Sequence, residues 1–308
     1  MSIDSQFEHD YLLENGFETG IPSRALMNIE RQAIFSEVRT ALETDRLDLP
    51  ALPDMVVKVG DLLDDPNSAP GQFADVLATD GSIARYIIMV ANSAAISNGR
   101  GVDNLHDAIP RLGYRMLYSM VMNITLTKLF QANNPLIKRE LKEMWENDRN
   151  VAANCYVLAQ NHKHLSPEKG ILAGLVHDIG ALPLYLYADR QHPEIDPATL
   201  AGLIRKFSAP VGVKLLRSWN FPEELVAVVA NKRDLRRITY SGVADYVDVV
   251  TMANLQIQGM AKAVAWKNVF AAERLGYYAG DCKNFLANHA EQFAAVNDML
   301  GIDLALAA

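Results

Sequence analysis

The chain has 308 residues, of which 50% are hydrophobic and 21% are charged, and its formal net charge is −8 at pH 7. This apolar content excludes intrinsic disorder, and the negative balance argues against nucleic-acid binding because acidic proteins repel phosphate backbones. Two cysteines without a CxxC motif exclude a zinc ribbon or a disulfide framework, so we expect a reducing, cytoplasmic compartment.

Apolar residues recur at three- and four-residue steps along most of the chain, which predicts helices throughout. An irregular start leads into a predicted helix from Pro22 to Leu42. Pro70 then fits the first turn of a helix that Ser68 can cap. Asp80-Gly81 lies between two helical patterns and predicts a turn between helices rather than a hairpin.

The next helices are predicted at Ile83–Ala95 and Met116–Phe130, and a longer helix has a buried face from Leu141 to Ala159. Met116–Phe130 is interrupted by polar residues and is too short to cross a bilayer, so no membrane association is expected. Pro210 separates two short predicted helices, and Pro222 begins a third. These three helices are Leu200–Phe207, Val211–Ser218 and Glu223–Asn231. Strand signals are scarce, and we predict an all-α protein.

Two groups of short motifs follow one another along the chain. The first group is Leu49-Pro50-Ala51-Leu52-Pro53, Asp80-Gly81, Ala91-Asn92-Ser93-Ala94-Ala95 and Ala108-Ile109-Pro110-Arg111-Leu112-Gly113. The second is Ala173-Gly174-Leu175-Val176-His177-Asp178-Ile179-Gly180 and the segment from Val211 to Pro222, which ends in Trp219-Asn220-Phe221-Pro222. In this order and spacing the motifs resemble the HDOD family, bacterial relatives of the HD and HD-GYP hydrolases.

The resemblance covers roughly residues 42–256 and implies a multi-helical HD-like bundle with a role in signal transduction. We divide this region into two packed helical blocks, at about 42–135 and 136–256. The remaining chain is predicted to form an N-terminal helical extension, 1–41, and a C-terminal helical extension, 257–308.

Catalytic HD proteins hold divalent metals with clustered histidines and aspartates, and the resemblance indicates where such ligands are expected here. Only His177 and Asp178 match. Neutral or cationic residues stand at the other positions, and an amide or an ammonium is a poor ligand for a transition metal. These degenerate positions are Asn147, Ser208, Asn231, Lys232 and Asn254.

Two alternatives remain open at this point. Asp148, about 100° around the helix from Asn147, and Asp245 are carboxylates that could complete an atypical metal site with His177 and Asp178, holding Mn, Mg or Fe. Separately, four cationic side chains within six residues could bind a phosphate group without hydrolysing it. They are Lys232, Arg233, Arg236 and Arg237.

We therefore expect a non-catalytic regulatory module that binds a signalling protein, or a small ligand, on a degenerate HD scaffold with no cofactor. The alternatives are a metal-dependent phosphohydrolase that uses His177 and Asp178, and a nucleotide sensor without hydrolysis. On the first reading, the His177-Asp178 pair holds helices together rather than performing chemistry.

Overall fold

A computed structural model describes residues 33–97, 99–260 and 264–302. Throughout these ranges the regular structure is helical and contains no β-strand. The α-helices are α1 (Ala33–Glu43), α2 (Asp54–Asp64), α3 (Pro70–Ala78), α4 (Gly81–Ala91), α5 (Leu105–Leu112), α6 (Tyr114–Leu126), α7 (Pro135–Gln160), α8 (Pro167–Val176), α9 (Ala181–Gln191), α10 (Pro197–Ser218), α11 (Glu223–Asn231), α12 (Tyr246–Ile257), α13 (Phe270–Arg274), α14 (Ala279–Asn288) and α15 (Ala290–Leu300).

Helices α2 to α6 lie in the part of the chain that was predicted as the first block, and we keep that name for them. Asp80 begins α4 by accepting hydrogen bonds from the backbone N–H groups of Ser82 and Ile83, as expected of an N-terminal aspartate. Between α5 and α6 a single glycine, Gly113, turns the chain at a φ of 73°. Helix α6 is buried along most of its length, and its apolar surface packs against α8 of the second block.

Helix α7 is the centre of the second block. Residues on its inner face are buried from Ile137 to Ala159, and α8 packs along it. The two helices approach so closely that a Cβ atom at Gly174 would overlap the backbone of Ala152. Helices α9 to α12 complete the block around the loop that follows α8.

The described parts of both predicted extensions pack onto the helices between them. Phe35 on α1 lies against Phe207 on α10, with ring centroids 6.0 Å apart. At the other end, α15 packs on α7, and the buried side chain of Asn123 donates a hydrogen bond of 2.9 Å to the carbonyl of Leu300. The described parts of the two extensions are therefore packed against the rest of the fold.

Several predicted helix boundaries differ from the observed ones. The prediction of two helices broken at Pro210 is wrong, because α10 runs without interruption from Pro197 to Ser218 with Pro210 inside it. Burial of Phe207, Val211 and Leu215 on both sides of the proline offsets the hydrogen bond that the proline cannot make.

The capping prediction at α3 is correct only for Pro70, which occupies the first helical position; Ala69, not Ser68, precedes it. Helix α4 ends at Ala91, before the predicted end at Ala95, because the side chain of Asn92 bonds the backbone of Val102 in both directions. The start of the first predicted helix lies outside the described residues.

One stretch, Pro167–Gln191, has the length and hydropathy of a membrane span, but 83% of its most apolar window is buried inside the protein. It comprises α8, the turn at residues 177–180 and α9. Its apolar character is that of core helices.

Candidate functional site

The His177-Asp178 pair lies where α8 ends. His177 is fully buried, and its Nδ1 lies 2.7 Å from the carbonyl oxygen of Gly174. Because a carbonyl can only accept, Nδ1 carries the proton and Nε2 presents a lone pair. Nε2 lies 3.3 Å from Oδ2 of Asp178 and has no hydrogen-bond partner among the described residues.

A second carboxylate, Asp148 on α7, reaches the same histidine. Its Oδ1 lies 3.5 Å from Nδ1 of His177, and its side chain is fully buried. Neither carboxylate oxygen has a hydrogen-bond partner in the described part of the chain. Asp148, His177 and Asp178 thus present ligand-type atoms within 4.8 Å of one another.

The cation that faces this cluster is Lys232, at the C-terminal end of α11. Its side chain is 3% exposed, and its Nζ bonds Oδ1 of Asp178. The backbone carbonyl of Lys232 accepts a hydrogen bond of 3.0 Å from the hydroxyl of Thr251 on α12. Lys232 therefore fixes α11 to the loop after α8 and to α12.

The charges of the cluster follow from burial and from this ammonium. Burial opposes ionisation of Asp178, but the positive charges of Lys232 and Arg233 outweigh it and hold the pKa of Asp178 well below its usual range. Burial, aided by Lys232, lowers the pKa of His177 to about 4, so the imidazole is neutral at pH 7. Burial and the nearby Asp178 charge raise the pKa of Asp148 well above its ordinary value.

The space next to the pair is small. A cavity of about 30 Å³ is lined by residues from the loop after α8, from α10 and from the end of α11, including His177, Asp178, Ser208 and Lys232. That volume holds about one water molecule, and it is roughly tenfold below the 300–1,000 Å³ of ordinary ligand pockets.

The five residues predicted to replace metal ligands do not all lie at the small cavity. Asn147 is half-buried, and the α7 residue that reaches His177 is Asp148. Ser208 and Lys232 line the small cavity. Asn231 donates its amide to the carbonyl of Ala227 within α11. Asn254 is buried on α12, and its Oδ1 has no hydrogen-bond partner in the described ranges.

Asp245 is not a member of the cluster formed by Asp148, His177 and Asp178. It begins α12 by accepting from backbone N–H groups and pairs with Arg237 at 2.5 Å. The ligand set with Asp245 is therefore not assembled in this structure.

The four predicted anion-binding cations also do not converge on one point. Lys232 bonds Asp178, whereas Arg237 bonds Asp245 and the buried Asp248. Arg233 donates to the carbonyl of Arg205. The charge run thus stabilises two separate carboxylate sites, and only Arg236 among the four is an exposed residue.

Sequence reasoning missed a second buried ionic network around Asp248. This carboxylate is 1% exposed and binds both Arg237 and Arg274, the latter through two hydrogen bonds of 2.5 and 2.8 Å. Asp248 lies within an apolar helix, and its partner Arg274 is 26 residues further along the chain, so no short motif joins them. An acidic residue at a buried position of an apolar helix is the signal that could have indicated a cationic partner.

The donor atoms and the ammonium decide whether a divalent metal fits. Carboxylate oxygens and an imidazole lone pair are suitable ligands by type, and those of Asp148 and His177 have no hydrogen-bond partner among residues 33–97, 99–260 and 264–302. Lys232, however, already binds Asp178 and brings a positive charge to the place where the cation would lie. As arranged here, the residues do not fit a divalent ion.

Comparison with known proteins identifies the family and the fold. The family model of the HDOD domain matches residues 49–235. Among solved structures, a Shewanella amazonensis protein provisionally named a metal-dependent phosphohydrolase is 27% identical, with a TM-score of 0.73 over 89% of this chain and 99% of that one. An HDOD domain protein of unknown function from Geobacter sulfurreducens is 22% identical, with a TM-score of 0.63 over 85% of this chain and 99% of the other.

A third solved structure, a provisionally named signal transduction protein from Marinobacter aquaeolei, is 17% identical, with a TM-score of 0.58 over 90% of this chain and 69% of that one. A curated relative, an uncharacterized protein of Treponema pallidum, is 20% identical over 247 residues, which are 75% of this chain. The chain spans about half, 46%, of that relative's length.

The helices and the paired His177 and Asp178 thus define an all-α protein with an HD-like fold. The chain belongs to the HDOD family, as its motifs predicted.

Proposed function

We propose that this HDOD protein regulates signalling by binding a partner protein, and that it does not hydrolyse phosphoesters. The observation that carries the proposal is the Lys232 ammonium bound to Asp178. An internal cation neutralises the carboxylate that a metal would otherwise use, and the adjoining cavity has room for about one water molecule.

The relatives and the surface support a binding role. One structural relative is described as a signal transduction protein. The loop between α11 and α12 exposes Ile238 and Tyr240 almost completely and Val243 by half, which is unusual for large apolar side chains so close in sequence. Buried, unpaired thiols at Cys155 and Cys282 support a reducing, cytoplasmic setting.

A metal and turnover assay tests the proposal. Purified chain is incubated with Mn²⁺, dialysed, and analysed for metal content and for hydrolysis of bis-p-nitrophenyl phosphate, beside a His177→Gln variant that lacks the imidazole ligand. We expect far less than one ion per chain and equal background turnover in both proteins. One tightly held ion per wild-type chain, with turnover lost in His177→Gln, would refute the proposal.

The second candidate is a metal-dependent phosphohydrolase with an atypical ligand set. It is favoured by the unpartnered oxygens of Asp148 beside the His177 lone pair and by the name given to one structural relative. It requires Lys232 to leave Asp178, and the same assay distinguishes the two candidates.

A further inference from the structure

A groove between the two helical blocks is not used by the site at His177. We call it the interblock groove. It opens between α2 and α6 of the first block and α8 and the α10–α11 turn of the second. Its volume of about 380 Å³ falls within the range of about 300–1,000 Å³ typical of pockets for small organic ligands.

The α10–α11 turn gives this groove a fixed aromatic wall. Asn220 adopts a left-handed conformation with a φ of 56°, and the N–H of Phe221 donates to the carbonyl of Leu216. The indole N–H of Trp219 donates to the carbonyl of Pro50 at 2.9 Å, which ties the turn to the first block. The rings of Trp219 and Phe221 lie 6.1 Å apart.

Helix α6 contributes a third aromatic ring to the groove, that of Tyr118. Tyr118 is partly buried, and burial together with the charge of Asp64 raises its pKa to about 12, so the phenol is neutral at pH 7. Leu172 on α8 also lines the groove and is 7% exposed. Trp219 and Phe221 are also only 7% exposed, so the groove offers the edges of apolar side chains from both blocks to a flat ring.

The lining of the groove holds two cations and one carboxylate, and Glu224 pairs with one of the cations. Lys169 is held by Glu224 at 2.6 Å, whereas the exposed side chain of Arg115 has no hydrogen-bond or ion-pair partner in the ranges that the structure describes. A guanidinium binds carboxylates, sulfonates and phosphates through two parallel hydrogen bonds. The carboxylate among the lining residues, Asp64, is exposed on α2.

We propose that the interblock groove binds a small aromatic anion, with its ring between Tyr118 and the Trp219–Phe221 wall and its acidic group on Arg115. Because the walls belong to different blocks, such a ligand would bridge the blocks and oppose their separation. The proposal needs neither a metal at His177 nor a protein partner, and it stands independently of the proposed function.

Two probes with the same rings test the role of charge. 8-Anilinonaphthalene-1-sulfonate carries a sulfonate, and N-phenyl-1-naphthylamine lacks it; both are titrated by fluorescence into the full chain. We expect one sulfonate probe per chain, bound about tenfold more tightly than the neutral probe. Arg115→Gln should weaken the sulfonate probe about tenfold, the loss expected for a charge-assisted hydrogen bond, and leave the neutral probe unchanged. Arg85→Gln, an exposed arginine on α4 outside the groove, is the matched control and should change neither.

A second variant tests the place of binding. A Cβ atom at Gly60 on α2 would make an ordinary contact of 3.4 Å with the Tyr118 ring, and replacing a glycine within a helix favours the helix. Gly60→Leu should therefore fold, fill the groove and abolish binding of both probes, with an unchanged or higher unfolding midpoint. Several probe molecules per chain, an unaffected Arg115→Gln variant, or binding that persists in a folded Gly60→Leu variant would overturn the proposal.

Discussion

At the scale of single residues, the bond between Lys232 and Asp178 determines what the HD-like pair can do. Lys232→Met leaves the Asp178 carboxylate without its cation, and breaking a buried pair in this way costs about 3–5 kcal/mol. Lys232→Met combined with Asp178→Asn removes both charges, so we expect the double variant to be more stable than the single one. Urea unfolding at pH 7 measures both.

Mn²⁺ provides the control for this prediction. It should raise the unfolding midpoint of Lys232→Met, in which Asp148, His177 and Asp178 face an open position, and it should leave the wild type and the double variant unchanged. A double variant as unstable as Lys232→Met would show that the ion pair is not the source of the effect.

The raised pKa of Asp148 predicts the direction in which the stability of the fold changes with pH. Its pKa is raised in the folded chain above the ordinary value of 3.8, so the folded state keeps a proton that the unfolded state releases. The contribution of this group to stability is therefore complete below about pH 4 and is lost as the pH rises through the folded pKa.

Asp148→Asn keeps the shape of the side chain and removes this titration. We expect the variant to gain stability over the wild type as the pH rises from 4 to 8, because the folded wild type holds a proton that the unfolded chain releases, at a cost of about 1.4 kcal/mol for each pH unit between the ordinary and the raised pKa. Denaturant unfolding from pH 4 to 8 measures it. A difference that does not vary with pH would contradict the assignment.

Part of this site could be predicted from the sequence. His177 and Asp178 carry the family motif, and Lys232 was placed where a cation opposes a metal. Asn147 stands where the resemblance places a metal ligand, yet Asp148 is in helical phase with the buried Trp145 and Val151. Asp148 was named as an alternative ligand, and its helical phase favours it over Asn147, whereas the Lys232–Asp178 contact depends on how α11 packs.

At the scale of elements, close glycine contacts hold the loop after α8 in place. A Cβ atom at Gly180 would overlap the carbonyl oxygen of Ser208 and the amide nitrogen of Gly212, both backbone atoms of α10. Gly180→Ala should therefore separate α9 from α10 and cost about 1–3 kcal/mol or more. The matched control is Gly71→Ala on α3, where a Cβ meets nothing within 4 Å.

Thermal unfolding compares these two alanine variants. Gly71→Ala should be neutral or slightly stabilising, because alanine favours a helix by up to about 1 kcal/mol over glycine. Equal effects of the two substitutions would show that the glycine contact between α9 and α10 does not constrain the site.

Helix types were predictable because the apolar spacing of each segment is local, whereas helix ends depend on partners elsewhere. Glu223–Asn231 was predicted with its observed bounds because Pro222 marks its start. The continuous α10 could not be predicted, since the burial that offsets Pro210 comes from α9, α11 and the N-terminal helix.

At the scale of the whole molecule, one apolar core runs through both blocks and the C-terminal helices. It includes Val56 on α2, Val151 on α7 and Leu300 on α15. The buried Asn123 joins α6 to the end of α15 across 177 residues of sequence, and its amide also donates to the Tyr86 hydroxyl. No local pattern could indicate so distant a contact, and the proposed division at 42–256 stays a prediction.

A chain that ends at Asn288 tests this shared core. It lacks α15, whose Val296, Met299 and Leu300 are buried, and it leaves Asn123 without the Leu300 carbonyl. We expect the whole unfolding transition to fall, on the order of 5 °C or more, as one cooperative step in calorimetry. An unchanged midpoint with a smaller enthalpy would instead show that α15 unfolds as a separate unit.

The enclosure of Lys232 also has a chemical consequence. An amine acylates only when the reagent can reach its lone pair, and this one is 3% exposed and bound to a carboxylate. Lys142, whose side chain is 77% exposed, is open to the same reagents. We therefore expect Lys232 to acylate slowly in the native chain, at a rate that reports how often the end of α11 opens, the motion that a metal ion or substrate would need before reaching His177.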